Sequence, residues 1–138
     1  MILNERVNMK ILVGYKGVNV GKDLLKISLA HAKAFNGEVL IVTSMVGGGK
    51  SEQSKVQDAE ENLEKAKNYF DDQGVSCKTH LLVRGLDAGE DLVNFATEKG
   101  VDEIIIGIKS RSKVGKLIFG STAQAVILQA ECPVLSVK

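Results

Sequence analysis

The stretch "GIKSRSKVGKLIFGST" (107–122) carries the residues best suited to chemistry, and that chemistry is the binding of a phosphate group. It opens with Gly107 after an apolar run, and it closes with Gly120 and Ser121 at the start of a helical pattern. A helix N-terminus offers free N–H groups and a partial positive charge, and an adjacent glycine lets an anion approach the backbone. The cations of the stretch are Lys109, Arg111, Lys113 and Lys116. On spacing alone, a phosphate site and a solvated basic loop before an ordinary capped helix are equally supported.

A second stretch, "SMVGGGKSEQ" (44–53), partly matches the phosphate-loop pattern G-x-x-x-x-G-K-[S/T]. Gly49, Lys50 and Ser51 fit, but Ser44 stands at the first glycine position. A phosphate loop also serves a Mg²⁺ site that an Asp at a strand end completes, and no other predicted strand here ends in Asp. Three consecutive glycines are typical of a flexible connector. We therefore expect a connector and keep a small phosphate-loop NTPase as a minor alternative.

These stretches must be positioned by five apolar, β-branched runs that alternate with four helical patterns. Gly37, Gly74 and Gly100 fall where three of the helices should end in a left-handed residue. Alternation of this kind predicts a parallel sheet with helices on both faces. In such sheets ligands bind at the carboxyl ends of strands where the strand order reverses. The candidate site is therefore formed by the loops after the first and fourth strands, 14–22 and 107–122.

The starts of the last two helices have the spacing of a capping box. Asp87 precedes Glu90 by three residues, and Ser121 precedes Gln124 by three. The last helix is expected to bury Ala123, Ile127 and Ala130.

Two runs are expected at the edges of the sheet. The run "VSCKTHLLV" alternates between polar and apolar residues, which suits a partly exposed edge strand. The last run, "PVLSVK", is apolar although it is terminal, so a second subunit is the simplest source of cover for it.

Composition limits the class of protein. The 138 residues suffice for one domain, the net charge is +1, and the 4% of aromatic residues include no Trp, which argues against nucleic-acid binding. No apolar run reaches the length of a membrane span, so we expect no membrane partner. Cys77 and Cys132 are interpreted as buried thiols in a reducing, cytoplasmic environment.

No arrangement of a nucleophile and a base is visible in the sequence. His31 and His80 lack a partner at useful spacing and are interpreted as packing or surface residues. Asp102 and Glu103 precede a strand and are expected to face solvent at its amino end. We predict no metal site and no dedicated enzyme; at most, a bound ATP would be hydrolysed slowly.

The stretch 107–122 resembles the signature of the universal stress protein family, G-x-x-G-(nine residues)-G-[S/T]. Here the pattern reads Gly107, Ser110, Gly120 and Ser121. The similarity extends to "MKILVGYKG", "LLVRGLDAGEDLVNFATEKGVDEIIIG" and "AECPVLSVK". It covers nearly the whole chain from Met9, which suggests a single domain over 9–138 and an N-terminal extension over 1–8.

The resemblance implies a Rossmann-like fold of the adenine nucleotide alpha hydrolase-like type, a three-layer α/β/α sandwich with strand order 3-2-1-4-5. It implies a stress-response protein that binds ATP or AMP, with Mg²⁺ possible beside ATP, at the carboxyl ends of the first and fourth strands. The residues expected on the phosphate and ribose are Gly107, Lys109, Ser110, Lys113, Gly120, Ser121 and Thr122. Those expected beside the adenine are Gly14, Tyr15, Lys16, Ser44 and Arg84. The homodimer implied by the resemblance is joined through Val134, Leu135, Ser136 and Val137.

Two positions depart from the pattern of the nucleotide-binding branch. Lys16 stands where that branch has an Asp on the adenine and ribose side, and Ser110 stands at the second glycine of the signature. The loss of a charged hydrogen-bond partner typically costs about 1.5–3 kcal/mol. A dimeric interaction module that acts without nucleotide therefore stays open as the alternative.

Overall fold

The computed structural model describes residues 9–49, 52–111, 115 and 117–138. The predicted extension 1–8, the phosphate-loop candidates Lys50 and Ser51, and the cations Lys113 and Lys116 lie outside the described residues. Its elements are β1 (Lys10–Gly14), α1 (Val18–Ala34), β2 (Glu38–Met45), α2 (Glu52–Asp72), β3 (Cys77–Val83), α3 (Ala88–Lys99), β4 (Glu103–Gly107), β5 (Lys109–Arg111), β6 (Leu117–Phe119), α4 (Ser121–Gln129) and β7 (Val134–Val137). No helix in the described ranges combines the length and hydropathy that a bilayer crossing requires.

One parallel sheet organises the fold, with the strands in the order β3-β2-β1-β4-β7. Counted as the five predicted strands, this is the order 3-2-1-4-5, so the predicted Rossmann-like α/β/α sandwich is confirmed. The alternating run forms the edge strand β3 and the terminal run forms the opposite edge strand β7. The sequence did not predict β5 and β6, which pair antiparallel as a separate two-stranded ribbon between β4 and α4.

Each face of the sheet carries its own hydrophobic core. Ile11 and Val13 of β1 pack with residues of α1 and α2, whereas Leu12 between them packs with residues of α3 and α4. Successive side chains of a strand point to opposite faces, and because both faces are covered, β1 is apolar without interruption. Each fully buried aliphatic side chain stabilises the fold by about 1.5–3 kcal/mol.

The prediction that three helices end at a glycine in the left-handed conformation is only partly confirmed. Gly74 and Gly100 have φ values of 73° and 62°, in the left-handed region that favours glycine. After α1, Asn36 adopts this conformation instead, with φ at 52°, so the prediction for Gly37 is wrong. Gly37 is constrained by space, because a Cβ there would lie 2.8 Å from Cδ1 of Ile11.

Both predicted capping boxes are wrong. Asp87 is the N-cap residue of α3, but its side chain makes no capping hydrogen bond. In α4 the N-cap is Gly120, and Ser121 is already helical. The Gln124 Nε2 donates to the Phe119 carbonyl oxygen at 3.3 Å rather than closing a box with Ser121.

The last helix buries a narrower stripe than the sequence pattern predicts. Ala123 and Val126 are buried, whereas Ile127 is 40% exposed and Leu128 is 82% exposed. The prediction that Ile127 belongs to the core is therefore wrong, and α4 presents apolar side chains to its surroundings.

The amino end of the sheet holds a side-chain hydrogen bond that the sequence pattern did not suggest. The His31 Nδ1 lies 2.9 Å from Oε1 of Glu103, which is buried. Asp102 accepts a hydrogen bond from the Lys10 backbone N–H at 2.8 Å. The expectations that Asp102 and Glu103 face solvent and that His31 lacks a partner are wrong, because residues 72 positions apart meet at this end of the sheet.

Candidate functional site

The strand order reverses between β1 and β4, which are neighbours in the middle of the sheet. The chain leaves β1 into α1 on one face and leaves β4 toward α4 on the other, as the two cores show. This divergence opens a cleft above the carboxyl ends of the two strands. Val42 of β2 lies opposite Gly14, the last residue of β1, so 43–45 rise beyond the end of β1 and form one side of the cleft.

The floor of the cleft at the end of β1 is tightly packed. A Cβ on Gly14 would lie 3.2 Å from both Ile106 Cγ2 and Leu92 Cδ1, which leaves little space for a larger residue. The Tyr15 N–H donates to the Val42 carbonyl at 2.9 Å, and the Thr43 hydroxyl donates to the Tyr15 carbonyl at 2.7 Å. The backbone at this turn is therefore fixed by hydrogen bonds to β2.

The Tyr15 ring belongs to the core rather than to the surface of the cleft. Its side chain packs in the cluster on the α1 and α2 face, and only 2% of the residue is exposed. Its hydroxyl is buried without a hydrogen-bond partner among the described residues, and this burial raises the pKa of the phenol above its ordinary value. A ligand in the cleft could contact the Tyr15 backbone but not the ring as it stands. The next residue, Lys16, is exposed.

The start of α4 lies on the β4 side of the cleft. Its N-cap is Gly120, which has no side chain to cap the helix, and its first helical residues are Ser121 and Thr122. The Gly120 N–H donates to the Ile108 carbonyl at 3.0 Å, so this amide is already used. The unmet N–H groups of a first helical turn attract anions. The predicted phosphate residues Ser121 and Thr122 are thus at a suitable place, whereas the Gly120 amide is not available.

The described residues between Gly107 and Gly120 include two short strands, where an open loop was predicted. Lys109 and Ser110 lie in β5, where they pair with Phe119 and Ile118 of β6. The Ile108 N–H donates to the Val137 carbonyl at 3.0 Å, which fixes the base of this ribbon to the end of the sheet. Of the predicted phosphate residues in this segment, Gly107 is exposed at the end of β4. Lys113 lies outside the described residues.

Helices α3 and α4 approach closely beside the cleft. A Cβ on Gly89 would lie 2.6 Å from the Ala125 Cβ and 3.3 Å from the Thr122 carbonyl oxygen. A glycine is required at this contact because any side chain would push the two helices apart. The first turn of α3 is thereby held against the first turn of α4.

Two of the predicted adenine-side residues are bound to a buried carboxylate in α3. Asp91 is fully buried; its Oδ2 accepts from the Ser44 hydroxyl at 2.6 Å, and its Oδ1 accepts from Arg84 Nε at 2.7 Å and Nη2 at 2.6 Å. The Arg84 Nη1 also donates to both carboxylate oxygens of Glu98 at 3.2 Å, and its guanidinium lies 5.7 Å from the Phe95 ring centre. We call Ser44, Arg84, Asp91 and Glu98 the Asp91 cluster.

The Asp91 cluster neutralises the charge of Arg84. The hydrogen bond to Asp91, with a further contribution from Glu98, raises the pKa of the guanidinium above its ordinary value. Arg84 thus connects the end of β3 to α3 and is not a free cation for a phosphate. Ser44 stays partly exposed on the side of the cleft.

Asp91 was not among the predicted site residues, although the sequence carries a signal for it. Asp91 lies three residues after Ala88 and four before Phe95, on the same side of the helix as the apolar stripe. An acidic residue within an apolar stripe is expected to be buried and therefore to need a cationic or hydrogen-bonding partner. The identity of those partners depended on how β2, β3 and α3 meet.

The other reactive side chains are placed for packing. His80 lies against the Phe95 ring with centroids 4.9 Å apart, and burial lowers the pKa of its imidazole. Burial raises the pKa of the Cys77 thiol to about 12, so the nucleophilic thiolate is suppressed at neutral pH. In the part of the chain that the structure describes, no three metal-ligating side chains are grouped together.

The model of the universal stress protein family matches residues 8–138 of the chain. The chain is 32% identical to universal stress protein MJ0531 of Methanocaldococcus jannaschii over 97% of its own length and 84% of that protein. A solved universal stress protein from Archaeoglobus fulgidus is 36% identical and superposes with a TM-score of 0.85, over 96% of this chain and 100% of the other. Another from the same organism, solved in complex with dAMP, is 30% identical with a TM-score of 0.80 over the same shares.

These matches span nearly the whole chain, and the solved structures share its Rossmann-like fold. The chain belongs to the universal stress protein family.

Proposed function

We propose that this protein binds an adenine nucleotide, AMP or ATP, above the carboxyl ends of β1 and β4, and that it acts as a homodimer in the stress response. The observation that carries the nucleotide is the similar Archaeoglobus fulgidus protein that was solved in complex with dAMP. The alignment covers 96% of this chain and 100% of that protein.

The start of α4 supports a phosphate position. The first-turn amides of Ser121 and Thr122 have no capping side chain, and the helix dipole favours an anion at this end. Exposed Gly107 at the end of β4 would border the phosphate, and Lys109 and Ser110 in β5, with Lys113, complete the proposed phosphate and ribose side. Mg²⁺ would accompany ATP by binding its phosphates.

The opposite wall of the cleft supports a base position. β1 ends at Gly14, which the Tyr15 backbone and Lys16 follow, and Ser44 rises beside them on β2. Arg84 would act there through the Asp91 cluster and not as a direct partner of the phosphate, because its donors are directed at Asp91 and Glu98.

Isothermal titration calorimetry with AMP and ATP, combined with mass spectrometry of small molecules released from freshly purified protein, tests the nucleotide. We expect a released adenine nucleotide or measurable AMP binding. Gly120→Val places a branched side chain where the phosphate should approach, so AMP affinity should fall at least about tenfold. Gly49→Val in the connector is the matched control and should bind AMP as the unchanged protein does. Absence of both released nucleotide and AMP binding would refute the proposal.

The edge strand β7 supports the homodimer. Among the strands that the structure describes, β7 pairs with β4 alone, so the backbone groups on its outer side can pair with another strand. Ser136 at its middle is exposed, and Val134 and Leu135 are partly buried. The helix α4 packs on β7 and exposes Leu128. A second copy paired along β7 would cover both the edge and this side chain.

Light scattering of the Leu128→Glu variant tests the dimer. Because Leu128 is 82% exposed, the substitution should preserve the fold while it converts the dimer to monomer at micromolar concentration. Val83→Glu places the same charge on a 44% exposed apolar residue of the opposite edge strand and should remain dimeric. A monomeric unchanged protein, or a Leu128→Glu variant that stays fully dimeric, would contradict this interface. The cytoplasmic location belongs to the same proposal, and cell fractionation tests it.

A second candidate function is a dimeric interaction module that works without nucleotide. The hydrogen bond from the Gly120 N–H to Ile108 favours it, since one signature amide is already used, as does Lys16 in place of the acidic residue of the nucleotide-binding branch. This alternative predicts that Gly120→Val leaves cellular activity unchanged. Loss of activity in that variant together with loss of AMP binding would exclude it.

A further inference from the structure

The edge strand β3 has an outer side with backbone groups directed away from the sheet. Within the described part of the chain, β3 pairs with β2 alone. The Ser76 carbonyl, just before β3, accepts the Val39 N–H at 2.9 Å, so the backbone groups of Ser76 point toward β2. Successive residues of a strand direct their backbone groups to opposite edges, so those of Thr79 and Leu81 point away from β2. These groups are placed to bond a further strand.

The side chains of β3 differ between the two faces of the sheet. Leu81 packs against the core on the α1 and α2 side, and Leu82 packs in the core on the α3 side. Because side chains alternate along a strand, Lys78 and His80 lie on the α3 face with Leu82. On the other face, the strand ends in Val83, an apolar residue that is 44% exposed. A strand added at this edge would therefore meet basic side chains on one face and apolar side chains on the other.

The basic character of the α3 face comes from two lysines. The Lys78 side chain is 69% exposed, and the Lys99 ammonium lies 5.4 Å from the centre of the Phe95 ring. His80 packs against the same ring; burial lowers the pKa of its imidazole, and the charges of Lys99 and Lys78 lower it further, so both ammonium groups lie near it. Glu38 is 4.0 Å from the Lys78 ammonium, at the outer limit of an ion pair. An anionic side chain at this edge would be attracted by both lysines.

These lysines also determine which kind of strand the edge accepts. Lysine on an edge strand discourages pairing with neutral or basic strands. A second copy paired along β3 would bring its own Lys78 and Lys99 to the same place, and like charges on neighbouring strands are destabilising. Opposite charges stabilise a cross-strand pair, so an acidic segment is accepted where a second copy is rejected. Asp91 and Glu98 of α3 are already held by Arg84.

We propose that the outer edge of β3 binds an extended protein segment in which acidic and apolar residues alternate. The main chain of the segment would bond the outward backbone groups of Thr79 and Leu81. Its acidic side chains would lie beside Lys78 and Lys99, and its apolar side chains would lie on the face of Val83. In this mode of recognition the main-chain bonds supply affinity and the alternating side chains supply selectivity. The interaction is independent of a nucleotide in the cleft.

Fluorescence anisotropy with labelled peptides tests the inference. The probe is a peptide that alternates glutamate and valine over seven residues, the length of β3. We expect this peptide to bind saturably, and a peptide with lysine in place of glutamate to show no binding. Added salt should weaken the binding, because exposed charges are screened.

The contribution of charge is tested with Lys78→Glu, which replaces attraction by repulsion and should lower the affinity for the acidic peptide at least about tenfold. Lys26→Glu is the matched control, because it makes the same charge change at an exposed position of α1, which packs on β4. Its affinity for the peptide should be that of the unchanged protein.

The contribution of the backbone is tested with Thr79→Pro. Proline is tolerated on an edge strand where its nitrogen faces outward, so the ladder to β2 should be kept while an outward donor is lost. The affinity for the acidic peptide should again fall at least about tenfold. Thr79→Val keeps the backbone N–H and is the matched control, which should bind as the unchanged protein does.

Failure of the acidic peptide to bind the unchanged protein would overturn the inference, as would full binding by Lys78→Glu or by a folded Thr79→Pro variant. If Thr79→Pro does not fold, amide hydrogen exchange decides: protection of Thr79 and Leu81 by the bound peptide supports strand addition, and unchanged exchange refutes it. Self-association that Lys78→Glu strengthens and Thr79→Pro abolishes would assign the edge to a second copy and would also overturn the inference.

Discussion

The two halves of the cleft differ in how fully their polar groups are satisfied. On the β2 and β3 side, the Asp91 cluster pairs a fully buried carboxylate with three donors at 2.6–2.7 Å. On the β4 side, α4 begins at Gly120 without a capping side chain, and Gly107 is exposed. One half is closed by its own side chains and the other offers backbone amides to a partner.

This difference explains what each half can contribute to binding. Groups already fixed by internal hydrogen bonds lose little freedom when a ligand arrives, so they favour selectivity for one arrangement of donors and acceptors. Unmet amides at a helix start gain most from an anion, so they favour affinity. In the proposed site, the Asp91 side would therefore contribute selectivity and the α4 side would contribute phosphate affinity.

The largest expected effect comes from removing the Asp91 carboxylate from the side of the cleft whose polar groups are already hydrogen-bonded. Asp91→Ala leaves the Ser44 hydroxyl and part of the Arg84 guanidinium without their buried partner, so the free energy of unfolding should fall by about 3 kcal/mol. Urea denaturation followed by circular dichroism measures the loss. Asp87→Ala, at an N-cap whose side chain makes no capping bond, should cost well under half as much. Equal losses in the two variants would show that burial of Asp91 is not the cause.

An intermediate effect is expected where the two halves touch. Gly89→Ala would place a Cβ 2.6 Å from that of Ala125, so overpacking should lower the free energy of unfolding by about 2 kcal/mol. Removing the opposing methyl group in the double variant Gly89→Ala/Ala125→Gly should restore part of this loss. Thermal unfolding of the single and double variants provides the measurement. If the two substitutions lowered the free energy of unfolding additively, with no recovery in the double variant, residues 89 and 125 would not be in direct contact.

The smallest expected effect comes from adding a capping side chain at the start of α4. Gly120 has φ −69° and ψ 144°, an N-cap conformation that Asp adopts readily, so Gly120→Asp should stabilise the fold by about 0.5 kcal/mol. The same carboxylate should repel a phosphate and reduce AMP affinity more than about tenfold. Gly120→Asn supplies the cap without the charge and should weaken AMP binding less. If Gly120→Asp left AMP affinity unchanged, the phosphate would not lie at this helix start.

The strands and helices were predictable because their signals are local. The apolar run of β1 and the regularly spaced apolar residues of α2 each occupy one continuous segment, so the period of the pattern identifies the element. The sheet order followed from the resemblance to a family. The ribbon of β5 and β6 was missed because two strands of three residues are too short to show a period.

The sequence predicted where α4 begins, but not how the polar groups around the proposed site are paired. The glycine and hydroxyl residues at 120–122 marked the start of α4, which lies at the predicted switch point. The sequence could not show that Ser44 and Arg84 share Asp91, or that the Gly120 amide is already used by Ile108. Each of these contacts joins segments whose separation along the chain carries no information about their distance in space.

The sequence by itself determined which segments fold into strands and helices, where the chain reverses, and which family the pattern resembles, because those properties depend on neighbouring residues. Only the tertiary structure decided which polar groups are paired. Asp91 and Glu103 are both acidic residues beside apolar runs, yet one binds Arg84 and Ser44 and the other lies beside His31. The reason is physical: a buried charge must find its partner in space, and the packing of the helices on the sheet determines which partner is within reach.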